Sequence, residues 1–342
     1  MEKMEFFSEI SPLQAKVELD LMQTYQAYVQ ALCRGKSYTG GMSWKKQNGA
    51  EYLIRLTGRD GRGKSLGRRS EQTETLYGNF YAQKQTMVDR VATLKNALSD
   101  HASMARSIKL GRVPVIVADV LRVAEDEGVL GKNLMVIGTH ALYAFEASAG
   151  VRFDANLMAT TDIDFLWDAR SKLVFADPVG DFAVGGLLAL IKRVDASFEP
   201  VAHTPYSAVN KNGFYVDLVK TSPNPPWKLN EPEKMAPHDL TPAWIDEVKW
   251  FVASEKFTAY AIDQRGMPVK IVCPDPRVFA LYKAWLSQQD SRDPKKRQRD
   301  LLQSRAVADL LVKHLSHLKF TDSELRMFPA LAFKDALSAL GR

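Results

Sequence analysis

Between Thr161 and Trp167 the chain reads Thr-Asp-Ile-Asp-Phe-Leu-Trp, and no other stretch constrains its fold as tightly. Side chains of a strand alternate between two faces. An extended conformation therefore sends Ile163 and Phe165 to one side and Asp162 and Asp164 to the other. Two carboxylates side by side repel each other unless they are solvated, share a proton or hold a cation. The strand-like run Phe214-Tyr-Val-Asp-Leu-Val219 repeats the anomaly, because Asp217 occupies a place where a buried strand carries an apolar residue. A third piece, Val136-Ile-Gly-Thr139, ends a short apolar strand and opens directly into a helix. Brought together, Asp162, Asp164 and Asp217 make a hard oxygen site suited to Mg²⁺ or Mn²⁺.

The surrounding pattern predicts an α/β (α+β) architecture: a mixed sheet flanked by helices, a mostly helical N-terminal region containing a basic β-hairpin, and a helical C-terminal tail. With 342 residues, two compact units are the natural expectation. Three segments follow from the changes in pattern, 1–130, 131–273 and 274–342. In the first, helices are predicted over 12–33, 70–98 and 115–127, with a hairpin of 42–46 and 51–57 turning at Asn48-Gly49. In the second, strands are predicted over 134–137, 163–167, 173–176, 214–219, 257–262 and 268–272, with helices over 139–148 and 182–194. The stretch 150–160 reads as a loop, and Pro223-Asn-Pro-Pro226 with Pro232 to Pro242 as a loop-rich excursion. Helices over 278–288, 295–315 and 322–340 complete the chain.

The net charge of +6 is unevenly placed. Residues 43–69 hold Lys45, Lys46, Arg55, Arg59, Arg62, Lys64, Arg68 and Arg69 against Glu51 and Asp60, which equals the excess of the whole chain. A second basic run, Arg292-Asp-Pro-Lys-Lys-Arg-Gln-Arg299, lies near the last helices. Concentrated positive charge points to a polyanion such as nucleic acid or a nucleoside triphosphate; the alternative is a solvated surface with no partner. Tyr38, Trp44 and Tyr52 stand near the first run, either stacking on bases or forming the hairpin core. The N-terminus carries no basic-then-apolar leader, and the longest apolar run, Phe182 to Ile191, is half the roughly 20 residues of a membrane helix. The only cysteines, Cys33 and Cys273, have no metal-ligand spacing, so a cytoplasmic setting without membrane contact is expected.

The three acidic and glycine-led pieces, in this order, resemble the DNA polymerase β-type nucleotidyltransferase superfamily. Its signature is an apolar residue with Gly and then Gly or Ser, followed by Asp-h-[Asp/Glu]-h and by a further acid between apolar residues. The counterparts are Gly138-Thr139, Asp162-Ile-Asp164 and Asp217. The match looks closest to bacterial nucleotidyltransferase-like proteins with Gly-Thr-His-Ala-Leu-Tyr-Ala ahead of Thr-Asp-Ile-Asp-Phe-Leu-Trp, and it covers Leu134 to Lys220. Thr139 stands where Ser or Gly is commoner, and the gap from Gly138 to Asp162 is longer than in compact members. The resemblance implies NTP as donor, Gly138 and Thr139 at its phosphates, and Asp162 and Asp164 on the metal that accompanies the triphosphate. All three acids would share a second metal, with Asp217 helping to deprotonate the acceptor. It implies transfer of an NMP to a hydroxyl with release of pyrophosphate. The basic segments 43–69 and 292–299 favour RNA, tRNA among the options, as acceptor, with Lys45, Lys46, Arg59, Arg62, Lys64, Arg68 and Arg69 as contacts. A protein hydroxyl is the rival acceptor, and a non-catalytic nucleic-acid-binding regulator or antitoxin is the rival function. Bacterial relatives often act as toxins or defence factors, which leaves room for a cognate toxin or antitoxin partner. Relatives also place a Lys on a helix after the core, where Lys283 matches as a nucleotide-binding residue or else as a surface lysine.

Gly58 to Ser65 fits the phosphate-cradling pattern G-x-x-x-x-G-K-[ST] letter for letter. That pattern needs a strand feeding a helix, and Leu66-Gly-Arg-Arg-Ser70 interrupts any helix here, so a basic turn is expected instead. His140 either faces the nucleotide or packs its helix. The other histidines show no zinc-ligand spacing.

Overall fold

The computed structural model describes residues 5–56, 63–170, 181–222, 233–321, 323 and 325–341. In chain order come β1 (Phe7–Glu9), α1 (Pro12–Gly35), β2 (Gly41–Gln47), β3 (Ala50–Leu56), β4 (Gly63–Arg68) and α2 (Glu71–Ser107). Next are α3 (Val115–Asp126), β5 (Leu134–Ile137), α4 (Leu142–Ala149), β6 (Val151–Phe153), α5 (Ala155–Met158), β7 (Asp162–Trp167) and α6 (Asp181–Val194). The chain ends with β8 (Glu199–Val201), β9 (Thr204–Val209), β10 (Tyr215–Lys220), β11 (Ala243–Trp244), α7 (Lys249–Ala253), β12 (Lys256–Ile262), β13 (Pro268–Pro274), α8 (Pro276–Leu286), α9 (Pro294–Lys313) and α10 (Ala330–Leu340). Two compact units result, Lys16–Ile108 and the combination of Met1–Ala15 with Lys109–Arg342. Among the described residues no helix is long and apolar enough to cross a membrane.

In the smaller unit the expected hairpin gains a third strand, giving the antiparallel order β2-β3-β4. Asn48 and Gly49 both take positive φ (49° and 75°), as an Asn-Gly hairpin turn requires. The tail of the phosphate-cradle pattern, Gly63-Lys64-Ser65, lies inside β4 and not at a helix start. Ser70 caps α2 in a reciprocal box with Thr73.

The central sheet of the larger unit runs β5-β7-β10-β9-β8, with β11 beside the end of β10. Strands β7 and β10 are parallel; β5, β9 and β8 run antiparallel to their neighbours, so the sheet is mixed, as expected. Alternation along the strands divides the core. Leu134, Val136, Ile163, Phe165, Trp167, Val216 and Leu218 face one cluster with α3, α4 and α6. Met135, Ile137, Leu166 and Val219 face a second cluster built with α7, α8 and α10. Each such fully buried aliphatic or aromatic side chain contributes about 1.5–3 kcal/mol. Asp162, Asp164 and Asp217 share the parity of Leu166 and Val219, so they stand at the rim of the second cluster, where the apolar packing stops.

Several expectations are corrected. The 150–160 stretch is not a bare loop: β6 pairs antiparallel with β1, and a turn of helix follows, capped by Asp154. Strands β12 and β13 form their own antiparallel pair and do not extend the central sheet. Helix α3, in the segment 1–130 by its place in the sequence, buries Val117, Val120 and Leu121 in the larger unit's core. The last helix starts at Ala330 because Pro329 precedes it; a proline in a helix interior would remove a hydrogen bond and clash. The strand expected at 173–176, Arg59 and Arg62 with the rest of 58–62, the run 223–226 with Pro232, and Asp322 lie outside the described residues.

Candidate active site

The parallel pairing of β7 and β10 sets Asp217 directly beside Asp164 and Tyr215 beside Asp162. One carboxylate oxygen from each of Asp162, Asp164 and Asp217 lies within 4.8 Å of the other two. Two acids come from alternate residues of one strand and the third from its neighbour, so the backbone itself fixes their separation. Thr160 donates a hydroxyl hydrogen bond to Asp162, and Ser207 on β9 donates one to Asp217. Burial, the charges of Asp162 and Asp217, and too little compensation from Lys283 and Lys296 push Asp164 up to about 7. Asp217 is also raised, mainly by burial, with Ser207 opposing.

Gly138 follows β5, whose Ile137 pairs with Asp164 across the sheet. Its φ is +70°, and a Cβ there would lie 2.2 Å from Asp164 Oδ2. Only glycine combines that conformation with that approach. A 3-10 turn over Gly138–Ala141 precedes α4, shortening the helix expected from Thr139. Thr139 Oγ1 accepts hydrogen bonds from Arg299 Nη2 (2.7 Å) and Gln303 Nε2 (3.2 Å). Both lone pairs are thereby occupied, which leaves the hydroxyl proton to point elsewhere as a donor. His140 is buried against Tyr143 and Phe214, and burial lowers it to about 4, so it packs as a neutral ring.

The acids open into a cleft of about 330 Å³ that basic side chains also line. Lys283 on α8 is not a surface lysine: it is buried and bound to Asp300 at 2.6 Å. Arg292 shares Asp300 at 2.8 Å. Lys296 and Arg299 also line the cleft, and Arg299 Nε is buried without a hydrogen-bond partner. The basic run 292–299 thus sends Arg292, Lys296 and Arg299 to the acids of its own unit. The signal for this lay in spacing, because Lys296, Arg299, Asp300 and Gln303 recur at three- and four-residue steps along one face of α9. Thr160, Ser207 and Asp300 were not found by sequence reasoning. The remaining expected contacts, Lys45, Lys46, Lys64, Arg68 and Arg69, belong to the smaller unit. Arg69 is already bound there to Glu51 (2.6 Å) and Glu74 (2.8 Å).

The raised carboxyl of Asp164 has a pH signature. The folded protein keeps a proton that the unfolded chain releases near pH 4, so this group's contribution to stability falls as pH rises from about 4 to 7 and is lost above. In chelator, urea midpoints compared at pH 5 and pH 8 should show the wild type losing more stability than Asp164→Asn, by on the order of a few kcal/mol. Equal losses in the two proteins would contradict the buried, crowded site.

A family model described as nucleotidyltransferase matches residues 116–328, well over half of the chain and the whole of this cleft. No curated protein and no solved structure matches the chain.

Proposed function

This chain belongs to the nucleotidyltransferase family, and from that we infer that its cleft moves a nucleoside monophosphate from an NTP to a hydroxyl acceptor on RNA, with release of pyrophosphate. The observation that carries the reading is that three clustered carboxylates and four cations, Lys283, Arg292, Lys296 and Arg299, line one cleft. Two divalent ions and a tetra-anionic triphosphate together carry no net charge, so they enter without changing the charge balance of the cleft. Oxygen donors alone, in a tight group, fit Mg²⁺ or Mn²⁺. Asp162 and Asp164 would hold the ion that accompanies the triphosphate, and all three acids a second one. When bound, such ions neutralise phosphate charge and lower the pKa of the acceptor hydroxyl.

The residues of the chain do the rest. Gly138 and the turn after it bring backbone N–H groups close to the phosphates, and the Thr139 hydroxyl donates to them. Arg299, Lys296, Arg292 and Lys283 receive the phosphate oxygens, the last two by exchanging Asp300 for the ligand. Asp217 takes the proton of the acceptor hydroxyl as its oxygen bonds to the α-phosphorus and the bond to the β-phosphate bridge breaks. This geometry accords with the DNA polymerase β-type superfamily, and a toxin or defence role with a cognate partner follows from the resemblance to bacterial members. A cytoplasmic setting fits the free thiols Cys33 and Cys273.

Incubation of the protein with each labelled NTP, Mg²⁺ and either total RNA or cell protein tests the reading. Label should enter RNA and vanish in Asp162→Ala. Label in protein would reassign the acceptor to a protein hydroxyl. Tight RNA binding with no label from any NTP would leave a regulator or antitoxin on a transferase scaffold.

A further inference from the structure

The basic stretch of the smaller unit looks uniform in the sequence, yet the fold gives Arg55 and Arg69 structural partners and leaves others of its described cations without an ion pair. Register places Met42, Trp44, Leu53 and Arg55 on the side toward α2. There Trp44 packs on Tyr77 (5.9 Å between centroids), and Arg55 lies 4.4 Å over the Phe80 ring while donating to the carbonyls of Ser37, Thr39, Gly41 and Leu56. Arg69 covers Trp44 at 5.0 Å and holds Glu51 and Glu74. Tyr38 is spent against Phe80. These groups knit the sheet to its helix.

The opposite face carries one cross-strand row, Lys45, Tyr52 and Arg68, in which β2, β3 and β4 each contribute one residue. Lys45 and Arg68 are exposed and Tyr52 is half-buried between them. Among the described residues none of the three has an ion pair or a ring contact. In the next row, Ser43, Ile54 and Ser65, both edge positions carry small hydroxyl residues. Two inter-strand spacings separate the cations by about 10 Å, one on each side of the ring.

We propose that this face binds single-stranded nucleic acid, with a base stacked on Tyr52 and the flanking phosphates held by Lys45 and Arg68. An aromatic surface between two cations matches a planar group with an anion on either side, which an unpaired nucleotide supplies. A duplex keeps its bases stacked internally and offers nothing to the ring. The proposal deepens the RNA-acceptor reading by naming how the strand is held, but it is measured without NTP, so loss of transfer and loss of binding are separable.

Fluorescence anisotropy of the full-length protein with a 12-nucleotide RNA, the same sequence as DNA, and a blunt RNA duplex tests it. The single strands should bind at least roughly 10-fold more tightly than the duplex, and the RNA/DNA ratio identifies the natural source. Tyr52→Ala should weaken single-strand binding by roughly 5- to 150-fold, the range for one stacked base, while Tyr52→Phe restores it. Lys45→Ala with Arg68→Ala should flatten the slope of log affinity against log salt by about 1.4, two contacts at roughly 0.7 each. Duplex binding as tight as single-strand binding, or Tyr52→Ala without effect, would overturn the proposal. Competition by poly-glutamate as effective as by RNA would also overturn it, by making the face an acidic-protein surface.

Discussion

Asp217→Asn should lower the turnover of nucleotidyl transfer by about 10³-fold or more while leaving the affinity for NTP with Mg²⁺ nearly unchanged. The asymmetry follows from the strands. Asp162 and Asp164 come from β7 and, in the proposed reaction, together meet the donor; Asp217 comes from the neighbouring strand β10 and is assigned there to the acceptor. Asparagine keeps an oxygen for the hydrogen bond that Ser207 donates, so the local structure survives while the negative charge and the proton acceptor are lost. Equilibrium binding of a non-hydrolysable NTP, measured beside single-turnover kinetics, separates the two effects. A parallel loss of affinity and turnover would place Asp217 on the donor's metal instead.

The second large effect is on stability. Asp300 is 2% exposed and bonds both Lys283 and Arg292. Asp300→Ala strands two cations in or at the edge of the core, and removing one partner of a buried ion pair costs about 3–5 kcal/mol. Thermal unfolding should shift down by roughly 10 °C. Pairing Asp300→Leu with Lys283→Met removes one stranded charge along with the acid and should recover part of that loss. If Asp300→Ala unfolds at the wild-type temperature, Asp300 does not hold these cations in solution. High phosphate or triphosphate should narrow the gap, because an anion in the cleft takes over the work of the missing carboxylate.

How much of this could be read from the sequence depended on whether a local pattern carried the information. Alternation exposed the acids of β7 and β10, and apolar periodicity located α8 and α9, because burial on one face leaves a fixed period. The Asn-Gly turn was equally legible. Three things were not. Strands β8 and β9 contain Pro200 and Pro205, which weaken any strand reading, so Ser207 stayed hidden although it steadies Asp217. The pairing of β1 with β6 joins residues that lie far apart in the chain, and no local signal anticipates such a partner. The basic run 292–299 was visible as charge, but whether a lysine looks outward or into a cleft depends on what α9 packs against.

The pairing of Phe7 with Phe153 also governs the order of assembly. Since Lys16–Ile108 form a separate compact body, the smaller unit is inserted within the larger one and not appended to it. On the ribosome β1 must wait for its partner until the entire insert and the start of the next sheet have been made. The insert can mature on its own local contacts during that interval, whereas the catalytic body closes late, on contacts that span well over a hundred residues and carry a correspondingly slow, entropy-limited step.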